Sequence, residues 1–192
     1  MRVIGGKHRG RKLLAPEGKE VRPTSERARE ALFDILAHGR LSDGPVYEDA
    51  QVLDAFAGTG AFGLEALSRG ARRVTFMEKD RRVRALLQQN VDALGETQQA
   101  AILSADATRP PRASGPCSLA FLDPPYREDL AAPALKALAA TGWFAAGALV
   151  IVELATREDL EAPAGFELLE ERRYGAAKFV FFRYSARERT SP

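Results

Sequence analysis

The sequence predicts an α/β fold: a mostly parallel seven-stranded sheet covered by helices on both faces. An antiparallel C-terminal edge hairpin and a small N-terminal β-hairpin/helix extension complete it. Three observations carry this expectation. Short apolar runs alternate with helical patterns between residues 51 and 153, as strands buried on both faces and joined by crossover helices require. A glycine turn, Gly58, Gly60 and Gly63, follows the first run, where an open α/β sheet places its first strand-to-helix junction. The last two runs are separated only by Tyr174-Gly175-Ala176, too short for a crossover and suited to a hairpin.

Residues 1–15 alternate basic and apolar side chains. They read as a short hairpin whose glycine-rich loop carries Lys7, His8, Arg9, Arg11 and Lys12. Such a loop can follow a phosphate backbone. Arg22-Pro23-Thr24-Ser25 opens a helix over 25–38, with proline at its entry and hydroxyls available to cap it. Ala28, Ala31, Leu32, Ile35 and Leu36 repeat on that helix at the spacing of one buried face. A polar connector, 39–50, contains Gly39, Gly44 and Pro45. Strands are expected at 51–55, 73–78, 100–104, 118–122, 147–153, 166–172 and 178–184, and helices at 61–69, 80–94, 128–140 and 156–161. The tail from Ser185 is polar and is expected to fray. The proline-rich stretch 108–116 has no pattern that assigns it a role. Residues 1–40 are thus read as a basic extension and 41–192 as the main domain, together one compact unit.

A chain of 192 residues fits one domain and can bury a core without covalent staples. The net charge of +2 is unevenly spread. Residues 1–40 hold ten Lys/Arg against five Asp/Glu, residues 41–165 twelve against seventeen, and residues 166–192 six against four. A basic arm on an acidic body points to a polyanionic partner met by that arm. The single cysteine, Cys117, excludes an internal disulfide and a multi-cysteine zinc site. It lies in an apolar-leaning stretch and is read as a packing residue in a cytoplasmic protein. The segment Met1–Gly6 lacks the apolar core of a signal peptide, and no apolar run reaches bilayer length. Neither a membrane nor a metal is expected as a partner, and a monomer is the default state.

Chemistry concentrates at strand ends. The run Leu119–Leu122 stops at Asp123-Pro124-Pro125-Tyr126, because neither proline can donate a ladder hydrogen bond. The result is a stiff ledge bearing a carboxylate, free carbonyls and an aromatic face. It suits an exocyclic amine on a planar base: carboxylate and carbonyl accept the two N–H bonds while the ring stacks on Tyr126. Upstream, Gly58, Gly60 and Gly63 have dinucleotide-binding spacing, with Glu78 twenty residues after Gly58. A dinucleotide would bring a pyrophosphate to this turn, yet Asp54 ends the strand that feeds it. S-adenosylmethionine (SAM) has no phosphate, and its ammonium and sulfonium favour a carboxylate. Glu78 can accept both ribose hydroxyls, and Asp106 is placed for the adenine amine. Each acid alone is commonly a surface or capping residue. Four at successive strand ends, beside the glycine turn, point to one rim holding a cofactor site and an amine-binding ledge.

Asp54–Ala71 and Asp123–Tyr126 resemble class I (Rossmann-like) SAM-dependent methyltransferases. Arg2–Leu13 and Arg22–Phe33 narrow the resemblance, with Gly142–Phe144 and Ala148–Glu153 also similar. They are similar to the RsmD-type bacterial enzymes that methylate guanine N2 in 16S ribosomal RNA, over about residues 2–184. The resemblance implies that SAM lies over Phe56, Ala57, Gly58, Thr59 and Gly60. Asp54 and Asp123 would be near its charged groups, Glu78 and Lys79 at the ribose, and Asp106 and Ala107 at the adenine. It also implies a flipped guanine held by Asp123, Pro124, Pro125 and Tyr126. Lys7, His8, Arg9, Arg11, Lys12 and Arg22 would touch RNA, free or in an assembled small-subunit particle. An adenine-N6 DNA methyltransferase fits the same ledge. An NAD-dependent oxidoreductase fits the glycine spacing alone, and a non-catalytic RNA-binding module fits the basic arm.

Overall fold

The computed structural model describes residues 1–16, 23–38, 41, 44–126 and 128–186. Seven strands form one sheet: β1 (Gln51–Ala55), β2 (Arg73–Met77), β3 (Ala100–Leu103), β4 (Cys117–Leu122), β5 (Phe144–Ala155), β6 (Phe166–Tyr174) and β7 (Ala177–Tyr184). Their order is β3-β2-β1-β4-β5-β7-β6. The first five are parallel, and β7 runs antiparallel to both β5 and β6. The expected architecture is therefore present, with β6 at the edge. The hairpin closes through Gly175 at φ 61, a left-handed conformation that glycine adopts without a Cβ clash.

Alternation along the strands separates two cores. Val52, Phe121, Ile151, Phe179 and Phe181 point to one face, beneath α1 (Pro23–His38), α2 (Ala61–Ser68) and α3 (Arg81–Leu94). Leu53, Leu122, Val150, Val152 and Phe182 point to the other, with α4 (Ala131–Ala140) and Trp143. Phe62 stacks on Phe121 with ring centroids 4.2 Å apart, and Phe33 lies 5.1 Å from Phe62. This aromatic run binds α1 and α2 to the middle of the sheet, each ring adding roughly 1.5–3 kcal/mol by burial.

Several boundaries differ from expectation, each for a local reason. α3 begins at Arg81 because Asp80 is its cap, accepting from the amides of Arg82 and Val83. α4 begins only at Ala131, after Asp129 has taken a left-handed φ of 49. β5 starts at Phe144 and absorbs Gly147 (φ 77) through a register shift against β4. Residues 156–161 form turns and irregular chain, not a helix: Leu160 is their only large apolar residue, so a helix there could bury almost nothing. The proline-rich stretch spans the gap between β3 and β4, where Trp143 Nε1 donates to the Pro111 carbonyl at 2.9 Å. Burial pushes the Cys117 thiol up to about 12, which suits packing and not nucleophilic chemistry.

The N-terminal arm is a hairpin in minimal form, with one bridge, Arg2 to Lys12, and a 3-10 turn at Gly6–His8. It is held to the body by polar groups of the helices below. Glu65 on α2 is fully buried and accepts from the amides of Ile4 and Gly5 at 2.7 Å each, and from Arg69 Nε at 2.7 Å. Ser68 Oγ donates to the Gly5 carbonyl and accepts from the His8 amide. Asn90 on α3 exchanges hydrogen bonds with the Leu14 backbone. Gly6 passes so close to α2 that a Cβ would collide with the Ser68 carbonyl. Among the described residues, no helix is long and apolar enough to cross a membrane, and no group of three or more His, Cys, Asp or Glu side chains could hold a metal ion.

Candidate functional site

The sheet order reverses at β1, which lies between β2 and β4. Loops leaving the carboxyl ends of such neighbours diverge and open a crevice. Here the crevice is an open cavity of about 830 Å³, within the range of small-molecule sites. Phe56 and Gly58 line it after β1; Met77, Glu78, Lys79 and Asp80 after β2, with Val83 of α3. Ala105, Asp106 and Ala107 follow β3, Asp123–Tyr126 follow β4, and Glu153 projects from β5.

The loop after β1 is built from left-handed residues: Phe56 at φ 58, Gly58 at φ 56 and Gly60 at φ 84. For a bulky residue such as Phe56 this costs on the order of 1–3 kcal/mol, and it turns the ring onto the cavity wall. Gly63 serves packing, because a Cβ there would meet Phe76 and Val74. At Gly58 a Cβ would meet nothing, so that side of the loop is open to a ligand.

Asp54 departs from expectation. Its carboxylate is buried beneath the turn, accepting from the Gly63 amide at 2.9 Å, and it is not on the cavity wall. Burial pushes its carboxyl up to about 8; the Gly63 hydrogen bond opposes the shift, and the charge of Glu78 adds to it. The physical reason is depth: Asp54 still pairs within the sheet, between Phe76 and Phe121, and the start of α2 covers it through Gly63. Ala57, Thr59 and Gly60 also lie off the wall. Their role is to shape the turn: the Gly60 amide bonds the Ala57 carbonyl, and the Thr59 carbonyl accepts from Asn90.

Glu78 reaches the cavity already oriented. One carboxylate oxygen accepts from the Gly58 amide at 2.9 Å and the other from the Asp80 amide at 2.8 Å. Each oxygen keeps a further acceptor site, so the side chain can take two hydroxyls of a ligand without moving. Asp106 is fixed similarly. Its Oδ1 accepts from the Thr108 hydroxyl and amide, and Lys79 Nζ stands 3.9 Å from Oδ2. The Thr108 bonds, hydroxyl first, hold its carboxyl below the usual range, which keeps it an acceptor at neutral pH.

Asp123 opens into the cavity from the end of β4, its amide still bonding the Ala55 carbonyl of β1. The surrounding protein, then Glu153, then Asp54, push its carboxyl up. Asp123 is itself exposed on the cavity side, which opposes part of that shift. Tyr126 lines the same space and donates its hydroxyl to Glu153 Oε1 at 3.1 Å. The structure thus brings Phe56, Gly58, Glu78, Lys79, Asp106, Ala107 and the ledge 123–126 to one cavity. Met77, Asp80, Val83, Ala105 and Glu153 complete it without having been singled out in the sequence. Glu153 gave no strand-end signal in the sequence: it interrupts the β5 run, which continues through Leu154 and Ala155.

The basic arm also differs from a free phosphate-following loop. Lys7 Nζ and His8 Nε2 both contact Glu96, at 2.7 and 2.5 Å. Arg11 donates to the Ala93 carbonyl near the end of α3 at 2.7 Å. Those three side chains help hold the arm down, although Lys7 stays more than half exposed; Arg9 and Lys12 are exposed as well. Arg9 borders a second groove, about 440 Å³, which it shares with Arg2 and Arg27 as well as Glu26 and Glu30. Arg22 lies outside the described residues.

The sequence model of the family described as Conserved hypothetical protein 95 matches residues 1–183. The Escherichia coli K12 protein named Ribosomal RNA small subunit methyltransferase D is 39% identical over 97% of this chain and 91% of its own length. The Haemophilus influenzae protein of the same name is 34% identical over 95% and 93%. The solved structure of yhhF from Escherichia coli superposes with a TM-score of 0.82 at 38% identity, covering 97% of this chain and 99% of that one.

Proposed function

The chain belongs to the RsmD family, described as Conserved hypothetical protein 95, and from that premise we propose that it is a SAM-dependent methyltransferase of small-subunit ribosomal RNA, acting on the exocyclic N2 amine of a guanine. The names of its near full-length relatives support the rRNA methyltransferase reading. The observation that carries the finer reading is the shared cavity, in which oriented acceptors stand beside a proline ledge that presents a carboxylate, carbonyls and a ring.

The residues fit SAM. Glu78, held by two backbone donors, offers its remaining acceptor sites to the ribose hydroxyls. Asp106 offers Oδ2 to the adenine amine. The open side of Gly58 admits the ligand to the backbone, and the Phe56 ring forms a wall. The acids of the rim suit a ligand with two positive centres and no phosphate. When bound, SAM supplies a methyl group on a sulfonium.

The chain's own groups handle the amine. A guanine amine is a poor nucleophile because its lone pair is delocalised into the ring. Asp123 and the Pro124 carbonyl accept its two N–H bonds, fixing the nitrogen and turning its lone pair outward. Tyr126 holds the base face, a contact worth roughly 1–3 kcal/mol. Forming the N–C bond would break the methyl's bond to sulfur, the electron pair leaving with a neutral thioether; the positive charge that would develop on the nitrogen lies beside the Asp123 carboxylate, which stabilises it and takes up the departing proton. The raised proton affinity of Asp123 suits that task. Placement and charge complementarity supply the acceleration. Residues 1–40 serve as the RNA-holding extension of a monomeric catalytic unit working in the cytoplasm.

Transfer of labelled methyl from SAM is to be measured on free rRNA, on small-subunit particles and on duplex DNA, followed by mapping of the modified nucleotide. The expected product is N2-methylguanine in rRNA of the small subunit. Methylated adenine in DNA, or no transfer with intact SAM binding, would replace this reading.

A further inference from the structure

Half of the cations in the acidic body stand on one side of the cavity. Residues 41–165 carry twelve Lys/Arg, and six of them fall in two short segments, 79–84 and 109–112. The first segment leaves β2 and opens α3; the second follows β3. Lys79 Nζ lies 3.9 Å from Asp106 Oδ2, and both residues line the cavity, so the two segments meet at its rim. Arg84 is used internally, donating to the Glu78 and Lys79 carbonyls. Arg81, Arg82, Arg109 and Arg112 are exposed. Among the described residues, none of these four closes an ion pair or donates a side-chain hydrogen bond. The acids nearby are already engaged: Glu78 and Asp80 accept from backbone amides, and Asp106 from Thr108.

Two features set these arginines apart from an ordinary solvated face. α3 begins Arg81-Arg82-Val83-Arg84 with no acid in its first turn, although the positive end of a helix disfavours cations. Helix stability does not account for that choice, and a polyanion docked there removes the conflict. Arg109 and Arg112 flank Pro110-Pro111, whose fixed φ stiffens the backbone. That backbone is anchored along its length. The Arg109 amide donates to the Asp106 carbonyl at 2.9 Å, Trp143 Nε1 to the Pro111 carbonyl at 2.9 Å, and the Ala113 amide to the Thr141 carbonyl at 3.0 Å. Guanidiniums on a fixed backbone lose less freedom on binding, and their forked donors match phosphate oxygens. The N-terminal arm packs against the far half of α3 and beyond, at Asn90, Ala93 and Glu96. α3 has 14 residues and is therefore about 20 Å long, so arm and rim are separate basic surfaces. We propose that Arg81, Arg82, Arg109 and Arg112 form a second phosphate-contact surface, which seats the RNA backbone beside the cavity; this rests on the rRNA-methyltransferase reading above. Such contacts position the RNA without reading its sequence. They are equally strong before and during methyl transfer, so their loss falls on KM and not on kcat.

The test replaces all four arginines by Gln. A charge-matched control carries Arg72→Gln, Arg73→Gln, Lys136→Gln and Arg173→Gln, four exposed cations elsewhere on the molecule. Binding of free small-subunit rRNA is measured across a salt series, and methyl-transfer kinetics on free rRNA or small-subunit particles, whichever accepts the methyl group. In the rim variant the slope of log K against log salt should flatten by at least about 2. Its KM for the RNA substrate should rise at least about tenfold, with kcat within about twofold of wild type. Calorimetric SAM affinity should be unchanged. Stability in urea should be no lower than wild type, since two cations leave a helix N-terminus. The control should change the slope by less than about 1. If the rim variant does not fold, the pairs Arg81→Gln/Arg82→Gln and Arg109→Gln/Arg112→Gln are measured separately, each expected to flatten the slope by at least about 1. A rim variant that matches wild type or the control, or that loses kcat in place of KM, overturns the assignment while rRNA methylation stands. A defect on particles with unchanged binding of free rRNA overturns it in favour of a protein partner. A wild-type enzyme that neither binds nor methylates rRNA overturns the reading above and this inference with it.

Discussion

Replacing Asp54 by Asn tests how the glycine turn is supported. The native carboxyl is buried against the Gly63 amide, and burial raises it from 3.8 to about 8. Asn has the same shape and keeps an oxygen for that amide, but it has no charge to bury. The sign follows from linkage. Between about pH 4 and pH 8 the unfolded chain has lost this proton while the folded chain retains it, so native stability falls as pH rises. The stability is complete below the unfolded value and is lost through the folded one. At 1.36 kcal/mol per pH unit, the loss approaches on the order of 5 kcal/mol by pH 8. Urea denaturation of wild type and Asp54→Asn at pH 5, 6, 7 and 8, without cofactor, measures it. The stability difference in favour of Asn should widen by about 1 kcal/mol per unit across that range and level off above pH 8. Two parallel profiles would refute the idea that Asp54 is neutral in the folded protein.

Other perturbations have separate outcomes. Asp123→Ala should lower kcat by at least about 100-fold while calorimetric SAM affinity stays near normal. Turnover in the wild type should rise with pH through a value above the ordinary aspartate range, because the active carboxylate forms only as its raised pKa is passed. Glu65→Ala should cost about 3–5 kcal/mol in denaturant midpoint analysis, since it strands the Ile4 and Gly5 amides and the Arg69 guanidinium. Glu78→Ala should weaken SAM about 10–100-fold by calorimetry, as both hydroxyl acceptors disappear. Charge removal at Arg9 and Lys12 should flatten the salt dependence of RNA binding by roughly 0.7–0.9 for each phosphate they no longer neutralise. Lys7→Gln should act mainly by breaking its ion pair with Glu96, giving a stability change without that change in slope.

The strand ends were legible because two kinds of signal coincide there. Buried parallel strands leave continuous apolar runs, and the residue that breaks each run marks the rim. Asp123 was readable in this way and Asp106 follows its run closely, whereas Glu153 interrupts β5 with Leu154 and Ala155 still to come, and nothing in the pattern separated it from a surface acid. Glu78 was readable from its spacing after Gly58. Residues 156–161 misled because charged residues with helical propensity look alike whether or not a surface exists for them to cover. The partners of the arm's cations were not legible, because Glu96 and Ala93 lie more than eighty residues away in sequence.

The sequence by itself determined the layer architecture, the glycine turn and the position of the proline ledge. These depend on hydrophobic period, left-handed backbone and missing amide donors, all of which are properties of neighbouring residues. Only the tertiary structure decided which carboxylates face the cavity and which lie beneath it. Asp54 and Asp123 both end apolar runs, but one is covered by α2 and bonds its backbone while the other emerges where the loops diverge. That difference arises from strand register and helix packing, which bring together groups far apart in the chain and set their exposure to water, and exposure governs where a carboxylate holds its proton.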